Sequence, residues 1–299
     1  LSALRQALER GLSDVSTGAQ YRAQGTFGSD WNVSLPGTIA LNSRSGLSVL
    51  MTPAQSGEGG LQVTETGLQY AGLIDIKGGG APTLKADVRN FTLTQDETSL
   101  RTGGFTIAPW TEADITLSAR LNRFGFRSKP STTSAEALGE VGFDGPIYGL
   151  DLNNARVFGG VSALRGAEGW RAQTLDRDCL GLDIDSVRIG GTFDLSKIAF
   201  PICPEDGRFI RQNSGHAAGK VSLGDVAVQI QGKDIAGTAA LQDANLNWST
   251  ENGLQFEVQA EQLDFPTTIG TRTLRAISDA PSVSLFVNET TRLQASLEN

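Results

Sequence analysis

The chain has 299 residues, of which 39% are hydrophobic, and a formal net charge of -8, so it is long enough to bury a sizeable core. Acidic residues outnumber basic ones, 33 to 25, and no basic cluster is available to neutralise phosphates, which argues against nucleic acid as a partner but does not exclude lipid. No stretch approaches the ~18 apolar residues that a membrane-spanning helix needs.

The first residues carry the only helical signal. In "LSALRQALERGLSDV", Leu1, Leu4 and Leu8 recur at near-helical spacing, and Gly11 is a plausible stop. This pattern predicts a short amphipathic helix that caps one end of a sheet, or one that contacts a partner or a membrane. Because residue 1 is Leu and not Met, we expect a processed or excised chain, with signals or anchors outside it.

The rest of the chain repeats one theme, a short alternating apolar segment followed by a polar or Gly-rich turn. "GLSVLMT", "GLQYAGLIDIKGGG" and "GKVSLGDVAVQIQG" are examples. The repetition predicts a meander or stacked array of antiparallel strands. Residues 127–146, rich in Ser, Thr and Pro, predict a loop followed by a short helix. We therefore expect a first β segment at 1–126, an excursion at 127–146 and a second β segment at 147–299.

Both cysteines, Cys179 and Cys203, flank one apolar run. Two thiols and a distant lone His216 are too few for a structural zinc site, and the long separation excludes a CxxC redox pair. A structural disulfide or two inert buried thiols remain.

A register test favours the disulfide, because residues that face each other in an antiparallel hairpin have numbers with a constant sum. Pairing Cys179 with Cys203 places apolar residues against apolar ones, such as Leu182 against Phe200 and Ile184 against Ile198. The same register sets Asp185 against Lys197 and Arg188 against Asp194, with Ser186 facing Ser196 between the two charge pairs. A shift of one residue removes every match.

The predicted hairpin turns at Gly190, Gly191 and Thr192, where glycine suits a positive φ. On the first strand of this hairpin, the apolar residues have even numbers before Ser186 and odd numbers after it. A pair of bulges, or a strand that leaves one core for another, explains the change. A disulfide here would stabilise the fold by about 3 kcal/mol and implies an oxidising compartment.

Motifs for catalysis or cofactor binding are absent from the sequence. It has no GxSxG elbow, and a single histidine leaves few options for a triad base. "GEGG" and "KGGG" fail the spacing of nucleotide-binding loops, and "DRDCLG" departs from a calcium loop at Leu180 and Val187. We predict no enzyme, no metal and no cofactor; a β-helix enzyme that assembles acids from separate rungs stays open as an alternative.

The second half carries a family resemblance. "DCLGLDIDSVRIGGTFDLSKIAFPICPEDGRFI", followed by "GKVSLGDVAVQIQGKDIAGTAALQDANLNWS", resembles the YdbH-type periplasmic proteins of Gram-negative bacteria, relatives of the AsmA and TamB group. The shared features are a Cys that opens a strand, a second Cys followed by Pro204, the "PEDGRFI" turn and a Gly-punctuated strand pair. The resemblance covers residues 175–265, and the first half of the chain is similar only in its general sequence pattern.

The resemblance implies a fold and a function. The fold is all-β: an elongated, curved antiparallel sheet that forms a repeating β-groove, here with a short N-terminal helix. The family is anchored in the inner membrane, and its groove is implicated in moving phospholipid between the inner and outer membranes. It implies a periplasmic fragment of a larger bridge, with phospholipid acyl chains as partners and both membranes reached through parts of the full-length protein outside this chain.

A one-sided apolar sheet must cover that face with a second layer or with lipid chains. Aliphatic residues in the predicted strands suit a groove for acyl chains, whereas a closed sandwich core is the alternative. The predicted groove residues are Leu47, Val49, Met51, Leu68, Tyr70, Leu182, Ile184, Ile198, Phe200, Val226 and Val228.

A binding or adhesion module at a cell surface is the second functional hypothesis. Four N-x-S/T triplets, at Asn32, Asn90, Asn247 and Asn288, would suit a secreted glycoprotein. Such a module predicts a filled core and a flat polar binding face, whereas the bridge predicts an open apolar trench.

Overall fold

The computed structural model describes residues 15–17, 24–26, 31–54, 59–147, 150–175, 179–189, 192–213, 215–251, 253–287 and 291–298. All regular structure in these ranges is β-strand, without a helix, and all strand pairs are antiparallel. The predicted all-β antiparallel class is therefore confirmed. The helix predicted near Leu1–Gly11 lies outside the described residues.

The chain divides into two compact units, Leu1–Val141 and Gly142–Asn299. The strands are β1 (Val15–Thr17), β2 (Gln24–Thr26), β3 (Asn32–Leu35), β4 (Ile39–Ser43), β5 (Ser48–Pro53), β6 (Gly60–Thr64), β7 (Gly67–Lys77), β8 (Leu84–Thr94), β9 (Thr98–Glu112), β10 (Ile115–Lys129), β11 (Thr132–Ile147), β12 (Leu150–Gly166), β13 (Gly169–Thr174), β14 (Leu180–Ile189), β15 (Phe193–Pro204), β16 (Ile210–Asn213), β17 (His216–Gly232), β18 (Ile235–Ser249), β19 (Leu254–Gln259), β20 (Gln262–Ile269), β21 (Arg272–Val287) and β22 (Thr291–Glu298).

In the first unit the paired strands follow the spatial order β1, β4, β5, β7, β8, β9 and β10. A shorter series, β2, β3 and β6, joins the other half of β7. One side of β7 therefore faces two collinear strands, β6 along Gly67–Ala71 and β5 along Gly72–Lys77.

The second unit repeats this arrangement of one long strand against two short ones. β12 faces β14 and β13, β17 faces β15 and β16, and β18 faces β20 and β19. β14 pairs with β15, β13 pairs with β16, and β21 and β22 follow beyond β19 and β20.

The loop and helix predicted for residues 127–146 are wrong. β10 continues to Lys129, a tight turn occupies Pro130 and Ser131, and β11 begins at Thr132. The Ser and Thr content that indicated a loop is equally compatible with a strand, since Thr is β-branched and favours extended backbone. The boundary between the two units falls within β11.

The predicted hairpin register is confirmed for β14 and β15, from Leu180 opposite Ile202 to Ile189 opposite Phe193. The disulfide joins Cys179 and Cys203, whose Cα atoms lie 4.4 Å apart. Of the predicted loop, Gly190 and Gly191 lie outside the described residues.

One predicted pair in this hairpin is wrong. Asp185 does not pair with Lys197; it accepts a hydrogen bond from Asn154 Nδ2 at 2.8 Å, while Lys197 adopts a left-handed backbone with φ of 58°. The strand pairing is interrupted at residues 185 and 197 and continues with Ser186 opposite Ser196. The change of apolar parity is thus a bulge, the first of the two explanations that the sequence left open.

This left-handed position recurs across the second unit. The strand residues with comparable φ are Asn154 (51°), Lys197 (58°), Gly224 (63°), Asp243 (47°) and Ala280 (50°). Around them, buried or partly buried positions are three residues apart instead of two, as with Leu241 and Ala244 or Ser278 and Pro281. Because the extra residue restores the alternation, the apolar side chains stay on one face of the sheet on both sides of each bulge.

Candidate functional site

The first unit presents one apolar sheet face. Directly paired residues share a face, and alternate residues along a strand do too. One cross-strand row contains only apolar residues: Ile39, Met51, Ile74, Ala86, Phe105 and Leu121. A second row, Leu35, Leu61, Tyr70, Phe91, Leu100 and Phe126, crosses the other half of the same sheet. The rings of Phe105 and Phe124 lie 5.8 Å apart on this face.

The opposite face of the first unit is polar. A row one residue away consists of Ser34, Gln62, Gln69, Thr92, Ser99 and Arg127. Such a division, with one apolar and one polar face, is typical of a sheet that contacts an apolar phase on one side only.

The second unit shows the same contrast over seven strands. One row runs Leu152, Val187, Leu195, Ile230, Gly237, Thr267 and Leu274; all but Leu274 are buried or partly buried. The neighbouring row on the other face runs Asp151, Arg188, Asp194, Gln231, Ala236, Thr268 and Thr273, and all seven are exposed.

Ten of the predicted groove residues lie in strands of the two units. In the first unit Val49 pairs with Ile76, Met51 with Ile74, Leu68 with Leu93 and Tyr70 with Phe91. In the second, Leu182 pairs with Phe200, Ile184 with Ile198, Val226 with Leu241 and Val228 with Ala239. Each therefore meets another apolar side chain across the ladder. The division into two units separates the first four from the other six.

Leu47 and Tyr70 are placed differently from the others. Leu47 precedes β5, is only 2% exposed and lies against the turn at Gly79. Tyr70 is 3% exposed, and its hydroxyl lies within donating distance of Thr52 O (3.1 Å) and Leu73 O (2.8 Å). Burial raises the pKa of Tyr70 to about 12, although the hydrogen bond to Thr52 opposes the shift. Both side chains are structural parts of the face and not open surface.

Several residues of the apolar face were not among the predicted ones, notably Ile74, Phe105, Ile230 and Leu274. Ile74 and Ile230 belong to the alternating segments "GLIDI" and "VAVQI", so the period-2 pattern could have identified them. Phe105, in "RTGGFTIAPW", follows two glycines that hide the alternation. In the buried cluster of the second unit, Val221 and Leu223 alternate within "GKVSLGDVAVQIQG" and could have been identified in the same way, whereas Ala244 follows the bulge at Asp243 and has no periodic signal.

The apolar faces are only partly filled. Among the described residues, no large side chain is less than 2% exposed. The buried cluster of the first unit consists of Tyr70, Ala86 and Val88, with partly buried neighbours around it. A closed sandwich of this size would bury large central side chains completely. Each face thus retains apolar surface that further apolar atoms could cover.

The exposed ion pairs of the two units follow the polar faces. Arg127 makes two hydrogen bonds to the Glu97 carboxylate, at 2.8 and 2.9 Å, and these bonds hold the pKa of Glu97 below its usual range. Arg275 binds both oxygens of Asp264, at 2.8 and 2.7 Å, which lowers the pKa of Asp264 in the same way. Such forked pairs fix the orientation of long side chains in water.

A shallow depression adjoins the disulfide on the polar side of the second unit. Its lining includes Phe158, Cys179, Asp183, Ala199 and Pro201. The Phe158 ring occupies the space that a Cβ at residue 181 would need, so glycine at that position allows the ring to lie on the sheet. Within the described ranges, no three potential metal ligands lie together, and no helix is long and apolar enough to cross a membrane.

Comparison with known proteins gives no relative of this chain: no family model, curated protein or solved structure matches it.

Proposed function

We propose that the apolar face of each unit binds the acyl chains of phospholipids, and that the chain is a segment of a periplasmic bridge that carries phospholipid between the inner and outer membranes. The supporting observation is a largely apolar cross-strand row in each unit, which is only partly buried and has a polar row on the opposite face. Acyl chains would complete the burial of this face, while headgroups stay in water beside its rims.

Energetics permit such binding without specific contacts. Each lipid methylene removed from water contributes about 0.8 kcal/mol, so even a partly covered chain gains several times the thermal energy. Because aliphatic side chains form a smooth surface without hydrogen-bonding groups, a lipid can move along it with little penalty. A face of this kind suits transfer better than storage.

The disulfide is consistent with the location. Disulfides persist in oxidising compartments, and the periplasm is one of them. The resemblance of residues 175–265 to periplasmic YdbH-type proteins supports the same location, with an inner-membrane anchor in the full-length protein. We propose no catalytic activity, since the sequence carries no motif that places a nucleophile beside a base.

Native mass spectrometry of the purified chain, before and after charge is placed on the apolar face, tests the proposal. Val49→Asp and Val228→Asp place a carboxylate on the apolar faces, and we expect them to reduce the co-purified phospholipid. An open face can hydrate a carboxylate, so these variants should still fold.

Ser48→Asp and Gln229→Asp are matched controls, because each puts the same charge on the neighbouring residue of the polar face. They should retain phospholipid. Wild-type protein that carries no phospholipid and takes none from vesicles would overturn the proposal and leave the binding or adhesion module as the better account.

A further inference from the structure

Strands β15 and β17 of the second unit are joined at their two ends but not between them. Four successive pairs connect them at one end, beginning at Phe193, and two connect them at the other, beginning at Cys203. Between these ends, residues 197–202 of β15 and residues 223–228 of β17 form no ladder pair with each other. We call this open stretch the seam and define it by these two ranges.

Two bulges that are not aligned explain the seam. Lys197 of β15 and Gly224 of β17 have left-handed backbones, with φ of 58° and 63°. If the register of the flanking pairs continued, Lys197 would face Val228 and not Gly224. Each bulge shifts the alternation of faces in its own strand, so the two strands are out of phase between the bulges.

Burial shows the mismatch. In the flanking register, buried Ile198 would stand opposite exposed Ala227, and exposed Ala199 would stand opposite buried Val226. Directly paired residues lie on the same face of a sheet, so these pairs cannot form while every apolar side chain stays on the apolar face. The pairing resumes beyond both bulges, where Cys203 meets its partner.

The outer edges of both strands remain paired. Residues 198–202 of β15 pair one by one with β14, and residues 226–231 of β17 pair one by one with β18. Pro201 lies in the seam, and proline, which has no N–H to donate, is confined in sheets to edges and bulges. Each strand is thus held from outside, while its seam side has the character of an internal edge.

The two faces of the sheet differ at the seam. Val226 belongs to the buried cluster of the second unit, and Phe200 and Val228 are partly buried against this cluster. These three side chains flank the seam on the apolar face, and they carry no charge and no hydrogen-bonding group. On the polar face Ala199 and Ala227 are exposed, and their methyl groups are too short to tie the strands together.

We propose that the seam retains the end of one acyl chain, which inserts between Phe200 of β15 and Val226 and Val228 of β17 as the two strands move apart. Separation at this place breaks no ladder pair, whereas separation of β17 from β18 would break the hydrogen bonds of six successive pairs. A methylene chain is slender and forms no hydrogen bonds, so it fits between apolar side chains and gains by leaving water.

This proposal rests on the proposed function and deepens it, because it gives the second unit a fixed holding point on a face along which chains otherwise slide. A chain held there leaves when the strands close again. The headgroup plays no part in this site, so any ligand with an acyl chain should use it.

Palmitate below its micellar concentration is the probe, since it carries an acyl chain without a phospholipid headgroup. The seam pair, Ala199→Cys/Ala227→Cys, places thiols on the polar face on the two sides of the seam. The matched control, Asp194→Cys/Gln231→Cys, places them on the same face of the same strands at directly paired positions. Both native cysteines are in the disulfide, so only the introduced thiols react.

Nitroxide labels on these thiols measure the opening by electron paramagnetic resonance. In the seam pair the distance between the two labels should increase when palmitate binds. In the control pair the distance should stay the same, because the ladder hydrogen bonds hold the strands together there. A seam with a structural role alone predicts no change in either pair.

A short bis-maleimide linker across the seam pair should hold the strands together and weaken palmitate binding about tenfold, as roughly two methylene groups left in water would. The same linker across the control pair should leave the affinity at the wild-type value. The unlinked seam pair is the reference for correct folding and should bind palmitate like wild-type protein.

Palmitate binding with equal label distances in the free and the bound seam pair, or with equal affinities before and after linking, overturns the seam site and leaves the proposed function intact. Weaker binding in the linked control as well assigns the loss to a general stiffening of the sheet and also overturns the seam site. Failure of wild-type protein to bind palmitate contradicts the proposed function itself.

Discussion

The backbone N–H of Asn154 donates a hydrogen bond to the Asp144 carboxylate at 3.0 Å, and Asn154 has a left-handed φ of 51°. The same contact recurs between the N–H of Asp243 and Asp225, at 3.2 Å, again at a left-handed residue. A bulge leaves its extra N–H without a ladder partner, and in these two cases an aspartate supplies one. Replacing Asp144 by Ala should lower the free energy of unfolding by about 1 kcal/mol.

Urea unfolding measures this effect. Asp151→Ala is the control, because Asp151 is exposed on β12 and accepts no such backbone bond. Surface changes of that kind cost less than about 0.5 kcal/mol. Equal losses in the two variants would mean that the carboxylate of Asp144 does not stabilise the bulge.

Ala280 offers a test of the left-handed backbone itself. Its φ is 50°, a conformation that costs an L residue roughly 1–2 kcal/mol and glycine almost nothing. Ala280→Gly should leave stability unchanged or raise it by up to about 1 kcal/mol. Ala276→Gly, the same substitution in the regular part of β21, should lower stability by about 0.5–1 kcal/mol. Thermal melts of the two variants that shift down together would contradict the bulge at Ala280.

Tyr70 predicts a loss of stability at alkaline pH. Its pKa is raised to about 12 in the folded chain and is about 10 when unfolded. The contribution of the neutral Tyr70 hydroxyl to the free energy of unfolding is therefore complete below pH 10. It is lost as the pH rises from about 10 to about 12, and the total loss is roughly 2–3 kcal/mol. Unfolding measured across this range should show the loss in wild-type protein and not in Tyr70→Phe. A parallel decline in both would assign it to other groups.

The charge pair on the polar side of the hairpin tests its register. Arg188 Nε lies 3.0 Å from Asp194 Oδ1, and the two residues are direct partners. Either single reversal should destabilise the fold by about 0.2–1 kcal/mol, because it places like charges opposite each other. The exchanged pair Arg188→Asp/Asp194→Arg restores the attraction across this hairpin but brings a second carboxylate opposite Asp151, so it should lose less stability than the sum of the two single changes. Chemical denaturation of the three variants gives the coupling, and additive losses would disprove the pairing.

Sequence reasoning succeeded where several local signals agreed. In the β14–β15 hairpin, apolar matches, a charge pair and two facing serines all indicated one register, so a single sum predicted it. The alternation in β5 and β7 likewise located the apolar face, because side chains in a strand must alternate between faces.

The predictions were wrong or incomplete where the local sequence pattern is ambiguous, or where residues distant in the sequence determine the local structure. Glu136 of β11, in a segment whose small side chains resemble a loop, lies 3.8 Å from Arg123 of the neighbouring strand β10. The bulges at Lys197 and Ala280 use residues without a preference for left-handed backbone, so only the neighbouring strands fix them. Arg171 and Arg211 face each other because β13 pairs with β16. Since 39 residues lie between them in the sequence, no local pattern reveals this pairing.

Photocrosslinking can compare the two faces of each unit for contact with phospholipid. A benzophenone amino acid at residue 49 or 228 lies on an apolar face, and one at residue 48 or 229 lies on the polar face of the same strand. If the apolar faces bind acyl chains, cells that make the protein should give phospholipid adducts at residues 49 and 228 and none at 48 and 229. Equal yields from both faces, or no lipid adduct at any of the four positions, would contradict the proposed binding.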